Sequence, residues 1–131
     1  MASIFTKIIN REIPGHIVAE NDYALAFLDI SPLTKGHTLV VPKQEIDYIF
    51  DLDEKLYLDL MKFSRQVAAA IEKSVECKRI GIAVIGLEVP HAHIHLVPLS
   101  NMDDINFSRP KLELTQDELK EIAASIRDNY S

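Results

Sequence analysis

The stretch Pro90-His91-Ala92-His93-Ile94-His95-Leu96-Val97-Pro98 places three of the chain's five histidines at every second position between two prolines. Side chains two residues apart on a β-strand share a face. The spacing therefore predicts a strand with His91, His93 and His95 on one side and Ala92, Ile94 and Leu96 on the other. One face packs into a core and the other does chemistry. A single histidine on a strand is ordinary, but three in register beside an apolar register point to a site.

Two chemistries use such a row. A metal centre needs neutral imidazoles converging on one ion at about 2.0 Å. On a straight strand rising about 3.3 Å per residue, the outer two histidines stand about 13 Å apart, so two neighbours can chelate and the third needs another task. Glu88 is the nearby carboxylate, and the single Cys77 supplies no thiolate pair. A nucleophilic site asks for less. One imidazole attacks while its neighbours fix its tautomer and bind the negatively charged oxygens being displaced.

The 131 residues, 47% apolar and 26% charged, predict one globular domain over residues 1–131. Fourteen basic against twenty acidic residues give a net charge of −6, which argues against a general electrostatic attraction to nucleic acid or to an anionic membrane. A phosphate ligand must be held by local groups. The opening MASIFTKIINREIPGH shows no apolar signal region or cleavage pattern, and no apolar run is long enough to span a bilayer, so the expectation is a cytoplasmic protein. Cys77, beside Lys78 and Arg79, reads as a small half-buried residue near a helix end.

His16–Glu20 and Ala24–Leu28, separated by Asn21-Asp22-Tyr23, predict a hairpin, and His37–Pro42 predicts a third strand closed by a proline. From Asp51 the apolar residues Leu52, Leu56, Leu60, Phe63, Val67, Ile71 and Val75 recur at helical spacing up to about Cys77. Asp51, with Glu54 three residues on, reads as the helix cap. Arg79–Gly86 predicts a fourth strand and Pro90–Pro98 the fifth. Thr115 and Glu118 form a capping box ahead of a second amphipathic helix carrying Leu119, Ile122, Ala123 and Ile126. Ser100–Leu114 carries no pattern. The fold class is α+β: five antiparallel strands in sequential order, one long helix between the third and fourth, and a carboxyl-terminal helix.

His91-Ala92-His93-Ile94-His95-Leu96-Val97 resembles the signature of the histidine-triad (HIT) superfamily. Ile4–Pro14, Ala24–Pro32 and Gly36–Lys43 are similar to the other conserved blocks of its nucleotide-binding branch, in the same order, so the resemblance spans roughly residues 4 to 99. The resemblance implies a HIT-like domain, usually a homodimer, that binds purine nucleotides and hydrolyses or transfers at the α-phosphate. By the same resemblance His93 is the nucleophile and forms a transient nucleotidyl-histidine. His95 contacts the phosphate, and His37 and His91 support the nucleophile. Asp29 accepts hydrogen bonds from the ribose, while Phe5, Ile8, Ile13, Phe27 and Ile30 wall the base pocket. Gly86 offers a backbone amide. An acidic ribose clamp, an apolar slot and an imidazole row are three chemistries suited to one nucleotide.

The implied partner is a purine nucleoside monophosphate or its phosphoramidate or anhydride conjugate, and the cycle needs neither cofactor nor metal. The alternatives are a catalytically weak nucleotide-binding module, a dinucleoside polyphosphate hydrolase, or a metal-dependent hydrolase using the histidine cluster. Asp29 also fits a plain turn cap before Ser31-Pro32, and His16 an ordinary surface residue. Two stretches depart from the family's pattern. Leu87 and Glu88 stand where polar phosphate-holding groups are usual, and Gln44-Glu45 where a histidine is frequent.

Overall fold

A computed structural model describes residues 2–131. Its elements are α1 (Ile4–Ile9), β1 (Ile17–Glu20), β2 (Ala24–Leu28), β3 (Thr38–Pro42), α2 (Glu54–Ser74), β4 (Arg79–Ala83), β5 (Ile94–Leu99) and α3 (Gln116–Asn129), with 3-10 turns at Ile49–Asp51 and Met102–Ile105. The strands form one five-stranded antiparallel sheet, as the α+β reading expects. Their order is not sequential: it runs β1-β2-β3-β5-β4. The α2 crossover carries the chain past one strand position to β4 at the edge. β5 then doubles back into the gap and pairs with both β3 and β4.

The central position of β5 explains its composition. β2 and β3 are buried throughout, as is β5 from Ile94 to Pro98: α2 and α3 cover one face, and the other is covered by α1 over β2 and β3 and by Phe107 over His95. Ala24, Ala26, Leu28, Val40, Ile94 and Leu96 face α2 and α3, where Leu60, Phe63, Val67, Ile71, Leu119, Ile122 and Ile126 complete the main core. Leu25, Phe27, Leu39 and Val41 point the other way, onto Phe5 and Ile8 of α1. The period of two in the strands thus builds two apolar layers. Each large side chain buried in them contributes about 1.5–3 kcal/mol relative to exposure.

The boundaries differ from the sequence reading where backbone donors are missing. Pro42 has no N–H, so the β3–β5 ladder ends at Val40 opposite Ile94, and Ala92 N–H donates instead to the Ile46 carbonyl (2.7 Å). His91 and His93 therefore precede the strand and only His95 lies within it. The alternation survives: Ala92, Ile94 and Leu96 enter the main core, with the three histidines on the other side. β4 stops at Ala83 rather than Gly86, and Val84, Ile85 and Leu87 are exposed.

The cap of α2 also differs. Asp51 closes the 3-10 turn that buries Ile49, and Asp53 caps the helix by accepting from Leu56 N–H (2.8 Å). The Thr115/Glu118 capping box of α3 forms as its residues dictate. His16 lies just before β1 and bonds the Gln116 side chain (2.9 Å). Cys77 is half-buried, and burial raises its pKa. No helix of the described residues is long and apolar enough to cross a membrane.

Candidate active site

The four histidines of the predicted site converge on one side of the sheet and are all buried. His37 lies just before β3, held by the Lys35-Gly36 turn, in which Gly36 adopts φ +96°. A Cβ there would meet Val75 and Pro98 at 3.2–3.3 Å, so both conformation and space require glycine. The ring of His37 stands 5.2 Å from that of His95, and the His93 and His95 rings are 4.9 Å apart.

Fixed backbone donors and acceptors assign every tautomer in this cluster. Leu33 N–H donates to His37 Nδ1 (3.0 Å), and an amide can only donate. The proton of neutral His37 is therefore on Nε2, which donates to His95 Nδ1 (3.0 Å). His95 in turn carries its proton on Nε2. On the other branch His91 Nε2–H donates to the Pro42 carbonyl (2.8 Å), and His91 Nδ1 accepts the Ser3 hydroxyl (2.7 Å). The carbonyl of His91 accepts His93 Nδ1–H (2.8 Å). That leaves the lone pair of neutral His93 on Nε2.

Burial keeps the supporting rings neutral. It lowers His37 to about 3, helped by the charge His95 would carry, and His95 to about 4, helped by His93. Burial also lowers His91. The carboxyl of Asp29 is raised by burial, which outweighs the hydrogen bond from Ser31 N–H (2.9 Å). Asp29 Oδ1 caps the turn, as one reading of the sequence expects, while Oδ2 lies 3.8 Å from His37 Nε2.

Asp29, His37 and His95 offer three potential ligand atoms within 4.8 Å of one another. The tautomers do not suit an ion. The atom of His37 facing the cluster, Nε2, holds a proton that it can release only by giving up the Leu33 bond at Nδ1 or by becoming an imidazolate.

Phe5 and Phe27 pack with ring centres 5.5 Å apart, and the Phe5 ring meets His93 edgewise at 5.0 Å. Ile8 is buried in the same apolar cluster, with Ile13 packed against it half-buried. Ile30 is not in that cluster and is exposed beside Asp29. Gly86, at φ +74°, lines a cleft of about 480 Å³ together with Leu87 and His93. Glu88 is exposed and makes none of the site's hydrogen bonds.

The sequence reading missed Phe107. Its ring packs edgewise on His95 (4.8 Å) and His37 (6.2 Å), and Arg109 ties its segment to the Leu33 carbonyl (2.7 Å). The signal available was slight: Phe107 is the one aromatic residue between Ser100 and Leu114.

A family model described as HIT domain matches residues 10–102. The chain is 37% identical over 134 residues to an uncharacterized HIT-like protein of Borreliella burgdorferi, covering 96% of each. It is 30% identical over 128 residues to the adenosine 5'-monophosphoramidase of Schizosaccharomyces pombe, again covering 96% of each. Among solved structures, a Hit-like protein involved in cell-cycle regulation from Bartonella henselae superposes with a TM-score of 0.83 at 30% identity, over 97% of this chain and 95% of that one. Full-length relatives at this identity and a family model spanning more than half of the chain leave one conclusion: the chain belongs to the HIT domain family.

Proposed function

We propose that this protein hydrolyses or transfers at the α-phosphate of a purine nucleotide, as a nucleoside phosphoramidase or acyl-adenylate hydrolase, through a nucleotidyl-histidine on His93. The observation that carries the reading is the bond from His93 Nδ1–H to the His91 carbonyl, which commits the ring's lone pair to Nε2. Named relatives that are adenosine 5'-monophosphoramidases support the substrate class.

In the proposed cycle, His93 Nε2 attacks the α-phosphorus, the P–N or P–O bond to the leaving group breaks, and the leaving group takes the bond's electron pair and a proton from solvent. The ring becomes cationic, and the His91 carbonyl stabilises it through the retained Nδ1–H. Water then attacks phosphorus and loses a proton, the P–Nε2 bond breaks, and its electrons return to the imidazole. His95 Nε2–H donates to a non-bridging oxygen, oriented by His37, and Phe5 and Phe27 grip the base.

The homodimer and the cytoplasmic location expected from the sequence remain part of this proposal. Supporting the dimer, β4 lies at the sheet edge with Ile82 exposed, and Val84, Ile85, Leu87, Tyr48 and Phe50 continue an exposed apolar surface beside it.

The test is to incubate the protein with an adenosine phosphoramidate and quench in base, which should trap the nucleotidyl adduct on His93. His93→Ala should abolish turnover and keep nucleotide affinity within about tenfold, as for a group acting in the transition state. Intact nucleotide binding with neither adduct nor turnover in the wild type means a binding module instead. Loss of activity on chelation, restored by zinc, means a metalloenzyme.

A further inference from the structure

Behind the triad, Ser3, Thr6, Glu45 and His91 form a hydrogen-bonded cluster in which Glu45 has no part in the cycle proposed above. Glu45 comes from the loop after β3. Its Oε1 accepts both the backbone N–H of Ser3 (2.6 Å) and the hydroxyl of Thr6 (2.6 Å). Ser3 caps α1, its Oγ accepting Thr6 N–H (3.0 Å). The Ser3 hydroxyl proton has two acceptors in reach, His91 Nδ1 at 2.7 Å and Thr6 Oγ1 at 3.3 Å, and the nearer one takes it.

We propose that Glu45 is a positioning residue for His93, acting through Ser3 and Thr6 on the ring and backbone of His91. Thr6 Oγ1 lies 3.4 Å from His91 Nδ1 and competes for that atom unless its own proton is drawn away. Glu45 draws it away and at the same time seats Ser3 by its amide. The hydroxyl of Ser3 alone then donates to His91 Nδ1, while the Pro42 carbonyl holds His91 Nε2–H. With both ring nitrogens bound, His91 is immobilised, and its carbonyl is the acceptor that orients His93.

The same helical turn carries Phe5, whose ring touches both His91 (5.8 Å) and His93 (5.0 Å). Glu45 therefore holds the apolar slot and the nucleophile in one register. Its two short bonds, to the Ser3 amide first and the Thr6 hydroxyl second, keep its carboxyl down at about 2. The Gln44-Glu45 departure from the family's pattern thereby acquires a role in this chain.

The proposal rests on His93 as the nucleophile, so its test has one arm that needs no turnover. Long-range nitrogen–proton NMR of the imidazoles should show His91 protonated on Nε2 and His93 on Nδ1 in the wild type. Glu45→Ala leaves the Pro42 and His91 carbonyls to hold both tautomers but frees Thr6 to compete for His91 Nδ1, so the His91 and His93 Nδ1 resonances should shift and broaden. Glu45→Gln, whose Oε1 can accept the same two bonds, should keep the wild-type pattern.

In the kinetic arm, Glu45→Ala should lower kcat for phosphoramidate hydrolysis about tenfold, and Glu45→Gln should recover most of the loss. Ser3→Ala, which keeps its amide bond to Glu45, should lower kcat similarly with KM within about twofold. Unchanged imidazole resonances and kcat in Glu45→Ala and Ser3→Ala, even with a lowered Tm, overturn the positioning role. A wild type without turnover defeats the functional reading, and the imidazole resonances of Glu45→Ala then decide the positioning role alone.

Discussion

His37 and His95 hold the chemistry of the site in a single protonation state, and that has a thermodynamic consequence. Their pKa values, about 3 and about 4, lie below the ordinary 6.5. Above pH 6.5 both the native and the unfolded chain keep these rings neutral, and they add no pH dependence. Below it the unfolded chain binds protons that the native state refuses, so stability falls as pH falls. Each ring contributes a slope approaching about 1.4 kcal/mol per pH unit once the unfolded form is protonated. His91, lowered by burial, acts in the same sense. Urea unfolding should therefore show stability that is level above about pH 7 and declines towards pH 4.5, before most carboxylates titrate. His37→Gln, with one ring fewer, should give a shallower decline. A level wild-type curve across that window would mean that these rings are not neutral in the native state by virtue of burial.

At the scale of elements, the start of α2 shows how a correct pattern can be assigned to the wrong residue. Asp51 and Glu54 have capping-box spacing, yet the 3-10 turn that buries Ile49 uses Asp51, and the cap passes to Asp53. Asp53→Ala should cost about 1 kcal/mol of stability by loss of the Leu56 amide acceptor. Asp51→Ala should stay within about 0.5 kcal/mol. Equal losses in denaturant titrations would reverse this assignment. The α3 box was legible because the residue two positions before Thr115 is Glu113, a poor N-cap, whereas Asp51 two positions before Asp53 is a good one. The histidine strand was legible in its alternation and not in its length. Alternation follows from side-chain geometry, whereas length depended on Pro42 of a neighbouring strand withholding an N–H. Helix α1 was not anticipated: at six residues it is too short for a periodic signal, and it is held by the Ser3 cap and by packing of Phe5 and Ile8.

For the whole molecule, the proposed homodimer makes a direct prediction. The wild type should sediment as a dimer at micromolar concentration, and Ile82→Asp on the exposed β4 edge should shift it to monomer. A monomeric wild type would refute the pairing. Strand order belongs to this scale as well. Each strand was recognisable from its own residues, but the insertion of β5 between β3 and β4 depends on how α2 crosses the sheet.

The amino-acid sequence by itself determined the two periodicities, the capping of α3, the apolar and imidazole registers around His93, and the kinship with the histidine-triad superfamily. All of these reside in residue type and short spacing. Only the tertiary structure decided which histidine proton faces which acceptor, that Phe107 closes one side of the site, and that Glu45 reaches the triad through Ser3. The partners involved are far apart in the chain, with His37 and His95 separated by 58 residues and Ser3 and His91 by 88. A hydrogen bond between such residues exists only once the sheet and its helices have brought their backbones together, and no local pattern encodes that approach.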